Sequence, residues 1–225
     1  MTNDATAPAR RRDARRNREL LVEAAHEVFA EQGLEAPLDV IARRAGVGNA
    51  TLYRHFPSRA ALVDAVFRDP LAGTMTTGER ARAAKDAWTG LVGYLEAVFA
   101  VLATDRGTND LMTTRLEGVD SLRAVHAHNR ATVELLLHRG REEGSVRADV
   151  TTEDVLFSLA ALGRAVPALA AAVAPEAWQR PLALFLDGLR ASPAAPLPSP
   201  ALTPDQLGEV LEGLGPHRAP RGSAE

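Results

Sequence analysis

The chain has 225 residues, 46% hydrophobic and 4% aromatic, with a formal net charge of −3. That length holds one large or two small domains, and 26 basic against 29 acidic residues argue against a wholly basic nucleic-acid binder and against a disordered polyelectrolyte. With no cysteine, disulfides, thiolate metal sites and cysteine nucleophiles are excluded, and 42 alanines beside so few aromatics point to an all-α protein.

Arginine outnumbers lysine 25 to one, a skew that genome composition can produce and that inflates alanine too, so the helix assignment has to rest on periodicity. Residues 1–14 are small and polar, carry the run Arg10-Arg11-Arg12, and read as a disordered basic arm. From Arg15 to Gln32, Leu20, Leu21, Ala24, Ala25, Val28 and Phe29 recur at three and four, with glutamates on the other face. Gly33 stands where a left-handed C-cap belongs. Two short helices follow, Leu38–Ala45 and Asn49–Phe56, parted by Gly46-Val47-Gly48. Pro57 closes the second and Ser58 caps a fourth helix, which Pro70 and Gly73 are expected to weaken or kink. Longer helices are predicted at 84–103, 119–143, 152–172 and 175–190, with a short one near 106–115. Gly144 ends one of them, and Thr151 or Thr152 with Glu153-Asp154 opens the next. Five prolines between Ser192 and Pro204 signal an extended tail, before a small helix at Pro204–Leu214. The domains expected are therefore the arm, a head at 15–68, a body at 69–191 and a tail at 192–225.

The N-terminal arginines lack an apolar stretch of signal-peptide type, because Glu19, Glu23, Glu27 and Glu31 interrupt it. The apolar runs look too short for a membrane span, so a cytoplasmic location without membrane contact is expected.

Residues 38–56 have helix-turn-helix spacing. Small Ala42 permits close approach, Gly46 can take the positive φ of the turn, and Ile41, Val47 and Leu52 are apolar pegs. The second helix would enter the major groove of double-stranded DNA. Gly48, Asn49, Ala50 and Thr51 would come nearest the bases, Asn49 and Thr51 as hydrogen-bonding groups and Ala50 by being small. Tyr53, Arg54 and His55 would reach phosphates, flanked by Arg43, Arg44 and Arg59. Backbone amides at the Ser58 helix start offer a further phosphate site.

The run LDVIARRAGVGNATLYRHFPSRAALVDAVF (38–67), preceded by RRNRELLVEAAHEVFAEQG, resembles the N-terminal domain of tetracycline-repressor (TetR) family regulators. The segments VRADVTTEDVLFSLAALGRA and WQRPLALFLDGLRA resemble the SbtR-type C-terminal domain of one subgroup. Family members often carry Thr or Ser near 36–38, where the hydroxyl caps a helix and touches phosphate; Ala36-Pro37-Leu38 supplies no such hydroxyl. The resemblance implies a three-helix head joined by a fourth helix to a helical body. It further implies a homodimer built on helices near 152–172 and 175–190, a palindromic operator, repression, and release by a small-molecule effector. An activator of the same fold remains an alternative, as does a helical interaction module without DNA binding.

Two features of the body stand apart from the resemblance. Residues 155–162 are apolar around nearly the whole helix, which asks for burial on more than one side, and Trp178, Leu182, Phe185, Leu186 and Leu189 form a matching stripe. Ala160, Ala161 and Gly163 would permit tight helix contact, and together these features point to an oligomer. In the 119–143 helix, His126 and Asn129 interrupt the stripe of Leu122, Val133, Leu136 and Leu137, so either a ligand or neighbouring protein groups must satisfy them. Trp88, Tyr94, Phe99, Met112, Arg115 and Phe157 are further candidates to line an effector cavity, although such residues are more often plain core. No phosphate-binding glycine loop, H-E-x-x-H or nucleophile turn is present, so neither enzyme activity nor a cofactor is expected. His126 and His128 point about 200° apart on a helix and make no metal pair, and Glu134 with His138 reads as a surface charge pair.

The net charge conceals a division. Residues 1–60 hold ten arginines and eight acids, net +2, and the remainder sixteen basic and twenty-one acidic residues, net −5. Within residues 9–18 six arginines face one aspartate, which gives the arm a phosphate or minor-groove role as one of its readings.

Overall fold

The computed structural model describes residues 6–104, 106–113, 118–191 and 195–214, with side chains for 12–213 of these. They form ten helices: α1 Thr6–Gln32, α2 Leu38–Arg44, α3 Asn49–His55, α4 Arg59–Arg82, α5 Ala87–Leu102, α6 Arg106–Thr113, α7 Asp120–Glu142, α8 Thr152–Ala172, α9 Gln179–Leu189 and α10 Pro204–Leu214. Among the described residues the only β pairing is an isolated bridge, Val146 with Arg190.

The local signals place the boundaries well. Gly33, Gly46 and Gly144 all take positive φ, at 81°, 68° and 68°, where a side chain would be strained. Ser58 Oγ accepts from Ala61 N, capping α4. Thr151 and Asp154 exchange hydrogen bonds as a capping box, opening α8. Before α2 no side chain caps the helix, as Ala36-Pro37 leads one to expect.

Four boundaries differ from expectation. Residues 6–14 belong to α1 instead of a disordered arm; alanine and arginine are strong helix formers, and an ordered α1 extends through them. Pro70 lies inside a continuous α4, where Leu71, Thr74 and Gly78 are buried, and packing along α7 outweighs the single backbone hydrogen bond that proline forfeits. α9 begins at Gln179, four residues later than the periodicity suggested. Finally, α8 is long and apolar enough by length and composition to cross a membrane, contrary to the sequence expectation. In the fold it packs instead on α5, α6, α7, α9 and α10.

The head buries Leu21, Ala25, Val28 and Phe29 of α1 against Ile41, Leu52, Phe56 and Leu62, and Phe29 stacks on Phe67 at 6.2 Å. α4 then runs from head to body and lies along α7. There Arg82 donates to Thr132 Oγ1 (2.9 Å) and His128 O (3.1 Å), and Arg139 donates back to Arg82 O (2.9 Å). The body core is Leu91, Tyr94, Leu95 and Phe99 of α5 against Val133, Leu136 and Leu137 of α7 and Val155 of α8. His138 Nε2 approaches Glu142, at 3.7 Å, instead of Glu134.

The stripe on α9 faces inward: Trp178, Leu182, Leu186 and Leu189 are buried, and Trp178 stacks on Phe99. Gly163 is likewise an internal contact, since a Cβ there would lie 2.7 Å from Leu102. The tight helix contact expected at Gly163 is therefore made within the chain, and the α9 stripe serves its core. The open apolar face of α8 and α9 carries Phe157, Ala161, Ala165, Val173 and Leu184, the last two 73% and 68% exposed.

Candidate nucleic-acid interface and effector cavity

In the head, buried Ile41 and Leu52 with half-buried Val47 pin α2 and α3, as the peg positions suggested. Phe56, just after α3, is also buried and carries the Arg18 guanidinium 5.2 Å above its ring. This anchoring turns one side of α3 outward. Gly48, Asn49, Ala50, Tyr53 and Arg54 are exposed, with Arg43 beside them, and Thr51 is half-buried. Tyr53 is 54% exposed, a large ring set on the open side of α3.

Of the residues expected at phosphates, Arg44 and Arg59 have internal partners, and His55 is half-buried. Arg44 forks onto Glu31 of α1 at 2.7 and 2.9 Å and reaches Glu27 at 3.4 Å, which lowers the Glu31 carboxyl pKa and clamps α2 to α1. Arg59 Nη1 donates both hydrogens inward, to Leu34 O at 2.6 Å and Ala36 O at 2.7 Å. The Nε2 of His55 sits away from solvent with no hydrogen-bond partner. Burial, then the neighbouring Arg54 and Arg18 charges, lowers its pKa and favours the neutral ring.

In the body, a cavity of about 820 Å³ opens between α6, α7, α8 and α10. Three of the residues expected from the sequence line it: Met112, His126 and Asn129. Asn129 Oδ1 accepts from Tyr94 OH at 2.5 Å, so Tyr94 supports the cavity from behind, its phenol held protonated by burial. Trp88, Phe99 and Phe157 lie elsewhere. Trp88 stacks under the Arg190 guanidinium, Phe99 belongs to the α5 core, and Phe157 is on the open face of α8. Arg115 falls outside the described residues. Sequence reasoning missed Arg123 and Arg130 on α7, Leu156 and Leu159 on α8, and Leu207 and Leu211 on α10. The spacing of Arg123, His126 and Arg130, at three and seven on one helix face, was the available signal.

α6 joins the two sites. Its Met112 and Thr113 line the cavity. Its Gly107 sits against the Phe29 backbone at 3.0 Å, measured from where a Cβ would be, and its fully buried Asp110 accepts from Leu34 N at 3.2 Å. Leu34 is the residue whose carbonyl Arg59 holds.

Comparison with known proteins agrees with this division. Residues 21–66 match the profile of bacterial regulatory proteins of the tetR family, and residues 86–191 match the SbtR-like transcriptional regulator C-terminal domain. An HTH-type transcriptional regulator of Staphylococcus aureus (strain USA300) is 43% identical over 53 residues, 23% of this chain and 29% of that protein, so the chain spans under a third of the curated relative's length. The TetR transcription regulatory protein of Mycobacterium vanbaalenii is 34% identical across 80% of this chain and 98% of its own, with a TM-score of 0.44. The regulator FadR of Bacillus subtilis, solved with stearoyl-CoA, shares the fold at a TM-score of 0.59 and 17% identity, over 79% of this chain and 99% of that one. With both domain profiles matched in order, over about two thirds of the sequence, the chain belongs to the TetR family of transcriptional regulators, with an SbtR-like C-terminal domain.

Proposed function

We propose that this helix-turn-helix regulator is a cytoplasmic homodimeric repressor. Each protomer lays α3 in the major groove of a palindromic operator, and an effector in the α6–α7–α8–α10 cavity releases it. The observation that carries the DNA reading is the outward face of α3. Asn49, Ala50, Tyr53 and Arg54 are exposed on a helix whose other face is locked by Leu52, and an interaction module without DNA would have no need of that set. A homodimer through α8 and α9 is supported by the apolar surface they leave open around Phe157, Ala161 and Leu184. Two heads related by a two-fold axis would then read half-sites about 34–36 Å apart. The effector reading is supported by the cavity and by α6, which borders it at one end and touches the head at the other.

Mobility shift with duplex fragments from upstream of its own and neighbouring genes tests the reading. A salt-sensitive shift on a palindromic fragment is expected. Arg54→Ala should weaken binding on every fragment and reduce the slope of log K against log salt by about 1. No shift at low salt on any fragment rejects the proposal.

A further inference from the structure

We propose that the effector cavity takes an amphipathic anion, clasped between α7 and the C-terminal helix α10, so that α10 is a working part of the effector site. This deepens the ligand-responsive reading above and rests on it. The charge of the wall is one-sided. Its described lining side chains include Arg123, His126 and Arg130 from one face of α7 and no carboxylate. Arg123 pairs with exposed Asp120, and Arg130 Nη1 donates to Glu153 Oε1 at 2.6 Å. Each guanidinium has five N–H donors, more than those contacts consume. An uncharged ligand seated over these groups would strip water from two cations and return at most neutral hydrogen bonds, a cation would be repelled, and an anionic head offers charge-assisted bonds to both. The opposite wall is apolar: Leu122 of α7, Leu159 of α8, and Leu207 with Leu211 of α10. A volume of about 820 Å³ lies within the roughly 300–1,000 Å³ typical of small-molecule sites, and its leucines suit a hydrocarbon tail.

α10 follows the span matched by the SbtR-like profile, which ends at residue 191. A built strap nevertheless positions it. Arg147 forks onto Asp149 at 2.6 and 2.9 Å and donates to Ala195 O, while Asp149 accepts from Leu197 N at 3.0 Å. Thr203 and Gln206 then exchange hydrogen bonds at the start of α10. Against the body, α10 seats one fully buried side chain, Leu207, with Leu211 half-buried beside it. A helix positioned this way closes the cavity with Leu207 and Leu211, so a ligand beneath it adds directly to its contact with the body.

Isothermal titration calorimetry of the full chain with decanoate, decanol and decyltrimethylammonium tests the assignment. Decanoate should bind at least tenfold more tightly than decanol, and the ammonium more weakly than either. The triple variant Arg123→Gln, Arg130→Gln, Glu153→Gln, which strands only the solvent-exposed Asp120, should shrink the decanoate preference to under threefold. Leu207→Glu should weaken decanoate at least tenfold, and decanoate should slow amide exchange across 204–214 in the unmutated protein. Decanol binding as well as decanoate, binding by none of the three, or unchanged exchange in 204–214 overturns the proposal. Operator binding measured without any probe separates the two readings. Its absence removes the regulator proposal while the calorimetry still judges the cavity.

Discussion

Replacing Arg59 with methionine separates a structural arginine from a DNA-contacting one. The side chain is part-buried, and its Nη1 gives one hydrogen to Leu34 O and the other to Ala36 O, at 2.6 and 2.7 Å. Hydrogen bonds to a charged group contribute about 1.5–3 kcal/mol each, and partial solvent access places this pair near the lower end, about 3 kcal/mol together. Methionine keeps the aliphatic packing but leaves two carbonyls, on the buried residues Leu34 and Ala36, without their donor. At roughly 2–4 °C per kcal/mol for a chain of this size, thermal unfolding followed by circular dichroism should shift down by about 6–12 °C. The second readout is the salt dependence of operator binding at a temperature where the variant is folded. An arginine that neutralised a phosphate would, on removal, lower the slope of log K against log salt by about 0.9. The internal geometry predicts an unchanged slope. A slope reduced by about 0.9 with the melting temperature unmoved would refute the argument.

The other predictions follow from contacts of the same kind. Asp110→Ala removes the acceptor of the buried Leu34 N–H, which should cost about 1–3 kcal/mol and speed amide exchange at Leu34; unchanged protection there contradicts the contact. Gly90→Ala and Gly93→Ala, three residues apart in α5, should have opposite signs in urea unfolding. A Cβ at Gly90 would lie 2.6 Å from Ala81 O and 2.9 Å from Leu136, overpacking that costs about 1–3 kcal/mol, whereas Gly93 meets nothing within 4 Å and gains up to about 1 kcal/mol of helix propensity. Acid should destabilise the fold in two windows. Burial and the Arg82 charge lower the His128 pKa, so the unfolded chain takes up that proton first and stability falls as pH drops below 6.5. The Arg147 fork, aided by Leu197 N, holds Asp149 at about 2 against an ordinary 3.8; its contribution is complete above 3.8 and disappears as pH falls towards 2. Urea midpoints for Asp149→Asn should therefore show a shallower lower window, where Glu31, Asp64 and Asp86 also contribute, and an unchanged upper one.

Where a residue's job is set by its immediate neighbours in the chain, the sequence told it correctly. Gly33, Gly46 and Gly144 had to turn, Ser58 and Thr151 had to cap, and each does so through partners within five residues. The failures share a different cause. Arg44, His55 and Arg59 carry the charge and length of phosphate contacts, and their spacing on the helix-turn-helix permits that role. What holds the two arginines are groups 13 to 25 residues away, Glu31 for Arg44 and Leu34 with Ala36 for Arg59, while His55 is half-buried in the packed head. The cavity was harder still, because its far wall is α10, nearly eighty residues beyond the α7 face it covers. Amphipathic spacing marks Leu207 and Leu211 as a seam but does not say which helix they meet. Proline was misjudged for the converse reason. The local rule at Pro70 is sound, and burial of Leu71, Thr74 and Gly78 around it prevails over a penalty of one lost hydrogen bond.

The proposed release of DNA needs an effector that distinguishes two arrangements of the head, since a ligand bound equally by both shifts neither, however tightly it binds. Moving the population from mostly bound-competent to mostly released demands about 5.5 kcal/mol of such preference. α6 is suited to deliver it. Eight residues make a rod about 12 Å long, short enough to move as one piece. Met112 and Thr113 at its C-terminal end feel the occupant of the cavity, while Gly107 leans on the Phe29 backbone and Asp110 holds Leu34 N. A Cβ added at Gly107 would lie 3.0 Å from the Phe29 carbonyl, so α6 packs closely on α1 there, and a tilt of α6 presses α1 or stretches the Asp110 contact. Leu34 also carries one end of the Arg59 clamp, and Ala36, the other end, lies two residues before α2. Strain entering at Asp110 therefore reaches the loop that orients the helix-turn-helix without passing through α4. That route makes Asp110 and Arg59 energetically coupled: in a double-mutant cycle on effector-induced release, their combined effect should be smaller than the sum of the two, and strict additivity would place the signal in α4 instead.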